Sequence, residues 1–119
     1  MIRIDFLGTG NAFTPSGRLH ALTLIDGKIL IDTPPTLITQ LRRKGLKTSE
    51  IEYLLFTHWH ADHTFGFPFF MLERKYISDP KREKNLKIYL RPGGKEKISN
   101  LCNIGFPGSL EDVEKMAHW

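Results

Sequence analysis

The amino-acid sequence predicts an α/β fold in which a mixed sheet is flanked by helices. Short runs rich in β-branched and aromatic residues recur along the chain, and stretches with helical spacing of apolar residues lie among them. The dipeptide Asp26-Gly27 between two of these runs is a strong signal for a two-residue hairpin. A third run, Leu54-Leu55-Phe56, is wholly apolar, which is typical of a strand in a sheet covered on both faces.

The first strand is predicted over residues 1–7, where Ile2, Ile4 and Phe6 alternate with polar residues. The glycine-rich turn that follows, residues 8–11, invites comparison with a dinucleotide-binding fingerprint. That fingerprint needs a third glycine, and Phe13 stands in its place. No crossover helix follows either, so we reject a dinucleotide site.

The middle of the chain is predicted to form a hairpin and a helix. Residues 21–25 and 28–31 are the two hairpin strands. Residues 35–44 have one apolar face, basic residues late in the stretch and Gly45 directly after it, which predicts a helix that ends at this glycine.

The second half of the chain is predicted to contain three helices and a strand. Residues 62–76 indicate a helix broken by Gly66 and Pro68, and its phenylalanines are expected mostly in the core, although some could line a pocket. Residues 86–90 alternate as a strand, and residues 95–102 have helical spacing. A final helix is predicted from Ser109, with Leu110 and Val113 on its apolar face.

Four side chains that can bind a metal fall within six positions: His58, His60, Asp62 and His63. In extended backbone, residues two apart project to the same side, so the first two can point at one ion. Asp62 and His63 are expected to open a helix and point at a second ion, in keeping with the ~3.5–4 Å separation of two-metal sites. The alternative is a chance cluster in which Asp62 only caps the helix. Four candidate ligands directly after a strand favour the metal site.

The string H-W-H-A-D-H, residues 58–63, resembles the H-x-H-x-D-H signature of the metallo-β-lactamase superfamily. Residues 64–70 resemble the continuation found in its ribonuclease Z branch, which has Gly in place of Ala61 and Leu in place of Phe67. The resemblance implies an αβ/βα sandwich of two similar halves. Residues 1–119 would then be a single partial domain, the N-terminal half, with one face of its sheet left uncovered.

The same resemblance implies a zinc-dependent hydrolase with two ions and a metal-activated water. His58 and His60 would hold the first ion, while Asp62, also the candidate catalytic residue, and His63 would hold the second. Manganese and iron are the other candidate metals. A phosphodiester, with RNA the leading example, is the implied substrate. The alternatives are a thioester or lactone hydrolase of the same superfamily and a non-catalytic metal-binding or interaction module.

Residues outside the motif have weaker assignments. Asp32 follows a strand, where relatives place a carboxylate beneath the metal loop; a helix cap is the competing interpretation. Arg18 and His20 loosely match a loop near the substrate in the ribonuclease Z branch, but no substrate-binding residue is identified. His118 lies in an amphipathic pattern near the end of the chain and is not expected to bind metal.

Composition sets broader limits. The chain has 119 residues, a net charge of +4 and a single cysteine, Cys102, which excludes an internal disulfide and a multi-cysteine zinc site. No apolar run approaches the ~20 residues of a membrane span, and no secretory signal is evident, so we expect a cytoplasmic protein with no membrane partner. The positive charge permits RNA or another anionic substrate. The uncovered sheet predicts self-association or a complementary second-half chain.

Overall fold

The computed structural model describes residues 1–119 and is built on one five-stranded mixed sheet. Its strands are β1 (Ile4–Gly8), β2 (Leu22–Ile25), β3 (Ile29–Ile31), β4 (Tyr53–Leu55) and β5 (Lys87–Tyr89), in that order across the sheet. The first three strands pair antiparallel, and β3, β4 and β5 pair parallel. The hairpin prediction is confirmed, but three residues, 26–28, separate β2 from β3 instead of the predicted two, and Ile25 pairs with Ile29. Asp26 and Gly27 have φ of 52° and 68°, the positive values that hairpin turns of type I′ require.

The α-helices are α1 (Leu37–Arg43), α2 (Ala61–Thr64), α3 (Phe67–Glu73) and α4 (Gly94–Gly105). The predicted break at Gly66 is confirmed, because this residue separates α2 from α3. Pro68 does not interrupt a helix; it lies in the first turn of α3, where a missing N–H costs nothing. The helix α3 continues into one π-helical turn, Arg74–Ser78. None of the helices has the length and apolar content needed to cross a bilayer.

The predicted final helix from Ser109 is wrong. This part of the chain contains only a short 3-10 turn, Val113–Lys115. Backbone hydrogen bonds explain the difference, because His118 donates to the Leu86 carbonyl (2.8 Å) and accepts from the Ile88 N–H (2.7 Å). The chain end thus pairs with the outer edge of β5. Its apolar spacing reflects core contact instead of a helix, since Val113 is fully buried.

The hydrophobic core lies on one face of the sheet, beneath the helices. Alternate strand residues point into it, including Leu24, Leu30, Leu54 and Ile88, which are at most 3% exposed. From the helices, Phe67 and Phe70 of α3 and Leu37 and Leu41 of α1 complete the core. The prediction that most phenylalanines of this segment are in the core holds for these two only, since Phe65 and Phe69 are 52% and 50% exposed. Burial of apolar surface at roughly 25 cal/mol per Å² holds the helices against this one face.

The opposite face of the sheet carries no helix within residues 1–119. Strand register places its residues in two rows: Ile4, Ile25, Ile29, Tyr53 and Lys87; and Phe6, Thr23, Ile31, Leu55 and Tyr89. We call these ten residues the open sheet face. Phe6 is 72% exposed and Tyr89 54% exposed. The prediction that one face of the sheet is uncovered is confirmed. The apolar run Leu54-Leu55-Phe56 indicated a sheet covered on both faces, and residues 1–119 provide no element that covers the second face.

Gly66 packs directly against the backbone of the segment that follows β3. Its N–H donates to the Thr33 carbonyl (2.8 Å), which ties the start of α3 to the segment after β3. A Cβ at this position would overlap the Pro34 carbonyl oxygen, which is backbone and cannot rotate away. A side chain here would therefore separate the two segments.

Gly66→Ala is expected to lower the free energy of unfolding by about 1–3 kcal/mol, because the added methyl overpacks a backbone contact. Urea unfolding followed by circular dichroism measures the change. Gly105→Ala is the matched control, since a Cβ there would meet only the Pro68 side chain, at 3.4 Å. Equal stability of the two variants would show that the Thr33–Gly66 contact does not constrain the fold.

Candidate metal centre

The predicted metal loop lies at the carboxyl edge of the parallel strands. Because β3 and β4 run parallel, the segments that leave their carboxyl ends begin side by side. The first segment begins with Asp32, and the second runs from Phe56 to His60 before α2 begins. Ligand sites of open α/β sheets form at this edge.

His58 and His60 project to the same side, as extended backbone predicts. Their ring centroids lie 4.8 Å apart, and His60 is extended, with φ −61° and ψ 149°. Trp59 points the other way and packs against Phe56, with 6.0 Å between ring centroids. It also contacts Gly94, where any Cβ would overlap the indole ring. An apolar anchor on one side of the loop thus turns both imidazoles to the other side.

Asp62 and His63 bring the remaining two groups into the same cluster. The rings of His58 and His63 lie 4.0 Å apart, and His63 Nε2 lies 3.2 Å from Asp62 Oδ2. Two ligands of a tetrahedral zinc with ~2.0–2.1 Å bonds lie about 3.3 Å apart, so this pair is spaced as neighbouring ligands are. Contacts therefore link the four predicted side chains in a row, from His60 through His58 and His63 to Asp62. His60 and Asp62 lie outside the set of three residues, Asp32, His58 and His63, whose ligand atoms all lie within 4.8 Å of one another. The role of the four predicted side chains as metal ligands remains a prediction.

Asp32 lies beneath the loop, in the predicted position. Its side chain is nearly inaccessible, and it accepts hydrogen bonds from the Thr57 N–H (2.7 Å), the Thr57 hydroxyl (2.6 Å) and His63 Nδ1 (2.8 Å). The competing interpretation as a helix cap is wrong. Thr36 is the residue that precedes α1, and no amide of that helix donates to Asp32.

These hydrogen bonds select the imidazole tautomers. Because His63 Nδ1–H donates to Asp32, the His63 Nε2 lone pair is left facing Asp62. The Thr57 hydroxyl donates to Asp32, so its lone pair can accept from His58 Nδ1, at 2.9 Å. His58 Nε2 is then also unprotonated. This tautomer assignment follows from the hydrogen-bond pattern, and it is the one in which each Nε2 can bind a metal.

Asp32 has a left-handed backbone conformation, with φ of 69°. For a residue with a Cβ this costs roughly 1–2 kcal/mol, so the surroundings must hold it in place. Its own N–H donates to the Leu55 carbonyl (2.7 Å), and the Thr33 N–H donates to the His63 carbonyl (2.8 Å). The strain is thus offset by bonds that join β3, β4 and α2.

The donor atoms fit a metal of the zinc type. Asp32, His58 and His63 offer ligand atoms that all lie within 4.8 Å of one another. Asp32 already receives three hydrogen bonds, so we assign it to positioning and not to coordination. Burial raises the pKa of the Cys102 thiol to about 12, so no thiolate is available. Nitrogen and oxygen donors alone suit zinc, and also manganese or iron.

Other polar residues considered from the sequence are structural or distant. His20 Nδ1 lies 3.3 Å from the Thr36 hydroxyl, and the His20 carbonyl accepts from Gln40 Nε2 at 2.6 Å. His118 pairs with the edge of β5 and is not part of the cluster. Thr57 is the residue that the sequence analysis missed. A hydroxyl between an apolar strand and the first histidine was the only signal for it.

Asp32→Asn is expected to weaken zinc binding roughly 10- to 100-fold, because the amide nitrogen cannot accept from both Thr57 and His63. Competition with a chromophoric chelator measures the affinity. Asp26→Asn is the matched control, since Asp26 also has positive φ but lies exposed in the hairpin, away from the cluster. Unchanged zinc affinity in the Asp32 variant would contradict the positioning role.

Comparison with known proteins places the chain in a family. The family model described as anti-Pycsar protein Apyc1 matches residues 2–112. Ribonuclease Z of Pyrococcus abyssi is 32% identical over 116 residues, which are 95% of this chain and 37% of that protein. Ribonuclease Z of Methanocaldococcus jannaschii is 30% identical over 108 residues, 88% of this chain and 33% of that protein. The chain thus spans about a third of the length of these relatives.

Solved structures share the fold. Human tRNase Z, short form, superposes with a TM-score of 0.73 at 24% identity, covering 100% of this chain and 44% of that one. A diphosphatase from the PhnP family gives 0.63 at 23% identity, covering 99% and 50%. The metallo-β-lactamase fold protein YhfI of Bacillus subtilis gives 0.65 at 14% identity, covering 83% and 42%. The chain therefore belongs to the family of anti-Pycsar protein Apyc1, and it has the metallo-β-lactamase fold that the resemblance of its histidine motif implied.

Proposed function

We propose that this chain carries the metal-binding half of a zinc-dependent hydrolase that cleaves phosphodiesters with a metal-activated water. The observation that carries the proposal is the row of contacts from His60 through His58 and His63 to Asp62, with the buried Asp32 carboxylate bonded to His63. Relatives named ribonuclease Z support a phosphodiester substrate, with RNA the leading candidate.

The ligands are assigned in two pairs. His58 and His60 would hold one ion, and Asp62 and His63 the other. When bound, the ions supply Lewis acidity and lower the pKa of water towards neutrality. Every further contribution comes from the residues of the chain.

The residues of the chain contribute in two ways. Asp32 and Thr57 orient the metal-binding imidazoles, because they hold the rings of His63 and His58 in fixed tautomers and orientations. Asp62 Oδ1 has no hydrogen-bond partner in the structure, so it can accept a proton from the attacking water and orient it. Asp62 is therefore the candidate catalytic residue.

A non-catalytic metal-binding module is the second candidate, and the ligand count favours it. A catalytic zinc has about three protein ligands and water. Each ion here receives two. Thioester and lactone hydrolysis need the same ligands and are separated from phosphodiester hydrolysis only by substrate tests.

A second layer of protein would complete the centre. The open sheet face exposes apolar side chains such as Ile4 and Phe6 across five strands. Contiguous apolar surface of this kind marks an interface. We propose that a second copy or a complementary second-half chain covers it and supplies the missing ligands.

The chain assembled with the second layer, either a second copy or a second-half chain, is expected to bind zinc and to hydrolyse bis(p-nitrophenyl) phosphate, whereas the monomer should bind zinc weakly and show no turnover. His58→Ala should lower bound zinc, measured by elemental analysis, and abolish turnover, because one ion loses half of its ligands. Asp62→Asn should lower turnover at least about 100-fold, as loss of an acid–base group does. His20→Ala is the control, since His20 bonds only to the α1 segment. Bound zinc without turnover in the completed assembly would favour the non-catalytic module.

Light scattering after size exclusion is expected to give at least twice the chain mass of 13.7 kDa. Phe6→Lys should lower that mass to one chain, because a charge on the open sheet face opposes its burial. Ile104→Lys is the control, since Ile104 is equally exposed but lies on α4. A monodisperse monomer of the unchanged chain would contradict self-association.

A further inference from the structure

The segment of residues 58–60 carries two of the predicted ligands and makes few backbone hydrogen bonds. None of its three N–H groups donates to a backbone carbonyl of the chain. Its two ends are fixed, since the amide of Thr57 and the carbonyl of His60 are each hydrogen-bonded to a side chain. Between these ends, the Trp59 side chain is the part of the segment that packs against the core.

The Trp59 ring is enclosed on three sides. Phe56 packs against it with 6.0 Å between ring centroids, and Lys97 Nζ lies 5.6 Å from the ring centre. The far edge of the indole rests on Gly94, because a Cβ there would overlap Cη2 and would lie only 2.7 Å from Cζ2. The indole therefore occupies the space that any other residue at position 94 would need.

Strand pairing places Gly94 beside the metal loop. The strands β4 and β5 run parallel, and the Phe56 N–H donates to the Tyr89 carbonyl (3.1 Å), so both segments leave the sheet at the same edge. Gly93 has a φ of 82°, which turns the chain into α4, and the Gly94 N–H donates to the Arg91 carbonyl (2.9 Å). The start of α4 is thus fixed by its own turn and provides the rigid side of the contact with the indole.

We propose that Gly94 and Trp59 are positioning residues for metal binding: the start of α4 holds the indole, and the indole sets the directions of the His58 and His60 rings. In extended backbone these two rings lie on the side opposite Trp59, so a displaced indole would turn both of them. A metal site tolerates little displacement, because ligand distances stay within about 0.2 Å of their ideal values. This inference rests on the metal centre of the proposed function and adds a control point outside the metal loop.

Gly94→Ala is expected to weaken zinc binding about tenfold or more, because the added methyl displaces the indole that orients the ligands. Competition with a chromophoric chelator measures the affinity. Gly105→Ala is the matched control: it makes the same substitution at the exposed far end of α4, where a Cβ would meet only the Pro68 side chain, at 3.4 Å. Less than about a threefold loss is expected there. Equal losses in the two variants would overturn the proposal.

Rescue by a smaller ring separates positioning from a general loss of stability. A phenyl ring lacks the outer indole atoms that a Cβ at position 94 would overlap, so Trp59→Phe leaves room for the methyl group. The double variant Gly94→Ala, Trp59→Phe is expected to bind zinc more tightly than Gly94→Ala alone, by about threefold or more. Rescue is partial, because the Leu90 Cβ lies 2.9 Å from the same position and does not change. A double variant that binds no more tightly than Gly94→Ala would show that the two residues act independently and would overturn the proposal.

A measurement without metal separates this inference from the proposed function. In EDTA, ¹H–¹³C correlation spectra of the imidazole rings should show shifted signals of His58 and His60 in Gly94→Ala. The His20 signals should stay unchanged, since His20 bonds only to the α1 segment. Unshifted His58 and His60 signals would overturn this inference alone. Shifted signals, together with bound zinc but no hydrolysis of bis(p-nitrophenyl) phosphate by the completed assembly, would retain it and overturn the proposed function.

A second variant keeps the test independent of folding. If circular dichroism shows that Gly94→Ala is unfolded, Trp59→Ala removes the contact without adding an atom, and zinc affinity is expected to fall about tenfold or more. Trp119→Ala is its matched control, because Trp119 also packs against a phenylalanine, Phe67 (5.8 Å between ring centroids), and lies near a lysine, Lys95 (6.0 Å). Less than about a threefold loss is expected there. Equal losses in the two tryptophan variants would overturn the proposal.

Discussion

The buried carboxylate of Asp32 is the interaction on which the candidate metal centre depends. It accepts two hydrogen bonds from Thr57 of the metal loop and one from His63 of α2. It does so from a left-handed backbone conformation that an aspartate adopts only when its surroundings hold it there. The parallel pairing of β3 with β4 brings the two segments together. Removal of this carboxylate would leave the Thr57 hydroxyl and the His63 imidazole without their acceptor, and the ring orientations would then be set by solvent.

The same sheet explains why the centre is half complete. Its helices, its core and the metal loop are organised around one face and one edge, and they account for all the fully buried side chains. The other face presents isoleucine, leucine, tyrosine and phenylalanine to solvent in two registered rows. An interface that covered these rows would bury apolar surface and could bring further ligands to the edge where His58 and His63 lie. Assembly and metal affinity are then coupled.

Features set by local sequence were predictable. The His58-to-His63 spacing, the Asp26-Gly27 turn and the break at Gly66 each follow from backbone geometry within a few residues. Asp32 required the fold resemblance, because its partners Thr57 and His63 are distant in sequence. The helix expected from Ser109 failed because backbone bonds to the edge of β5 fix the end of the chain instead.

Zinc K-edge X-ray absorption of the chain loaded with zinc tests the central claim most directly. The account predicts a shell of nitrogen and oxygen alone at about 2.0–2.1 Å, with the outer-shell scattering of more than one imidazole. It also predicts that the imidazole scattering diminishes when His58 or His63 is replaced by Ala. A sulfur shell at about 2.3 Å, or a spectrum without imidazole scattering, would place the metal elsewhere and contradict the account.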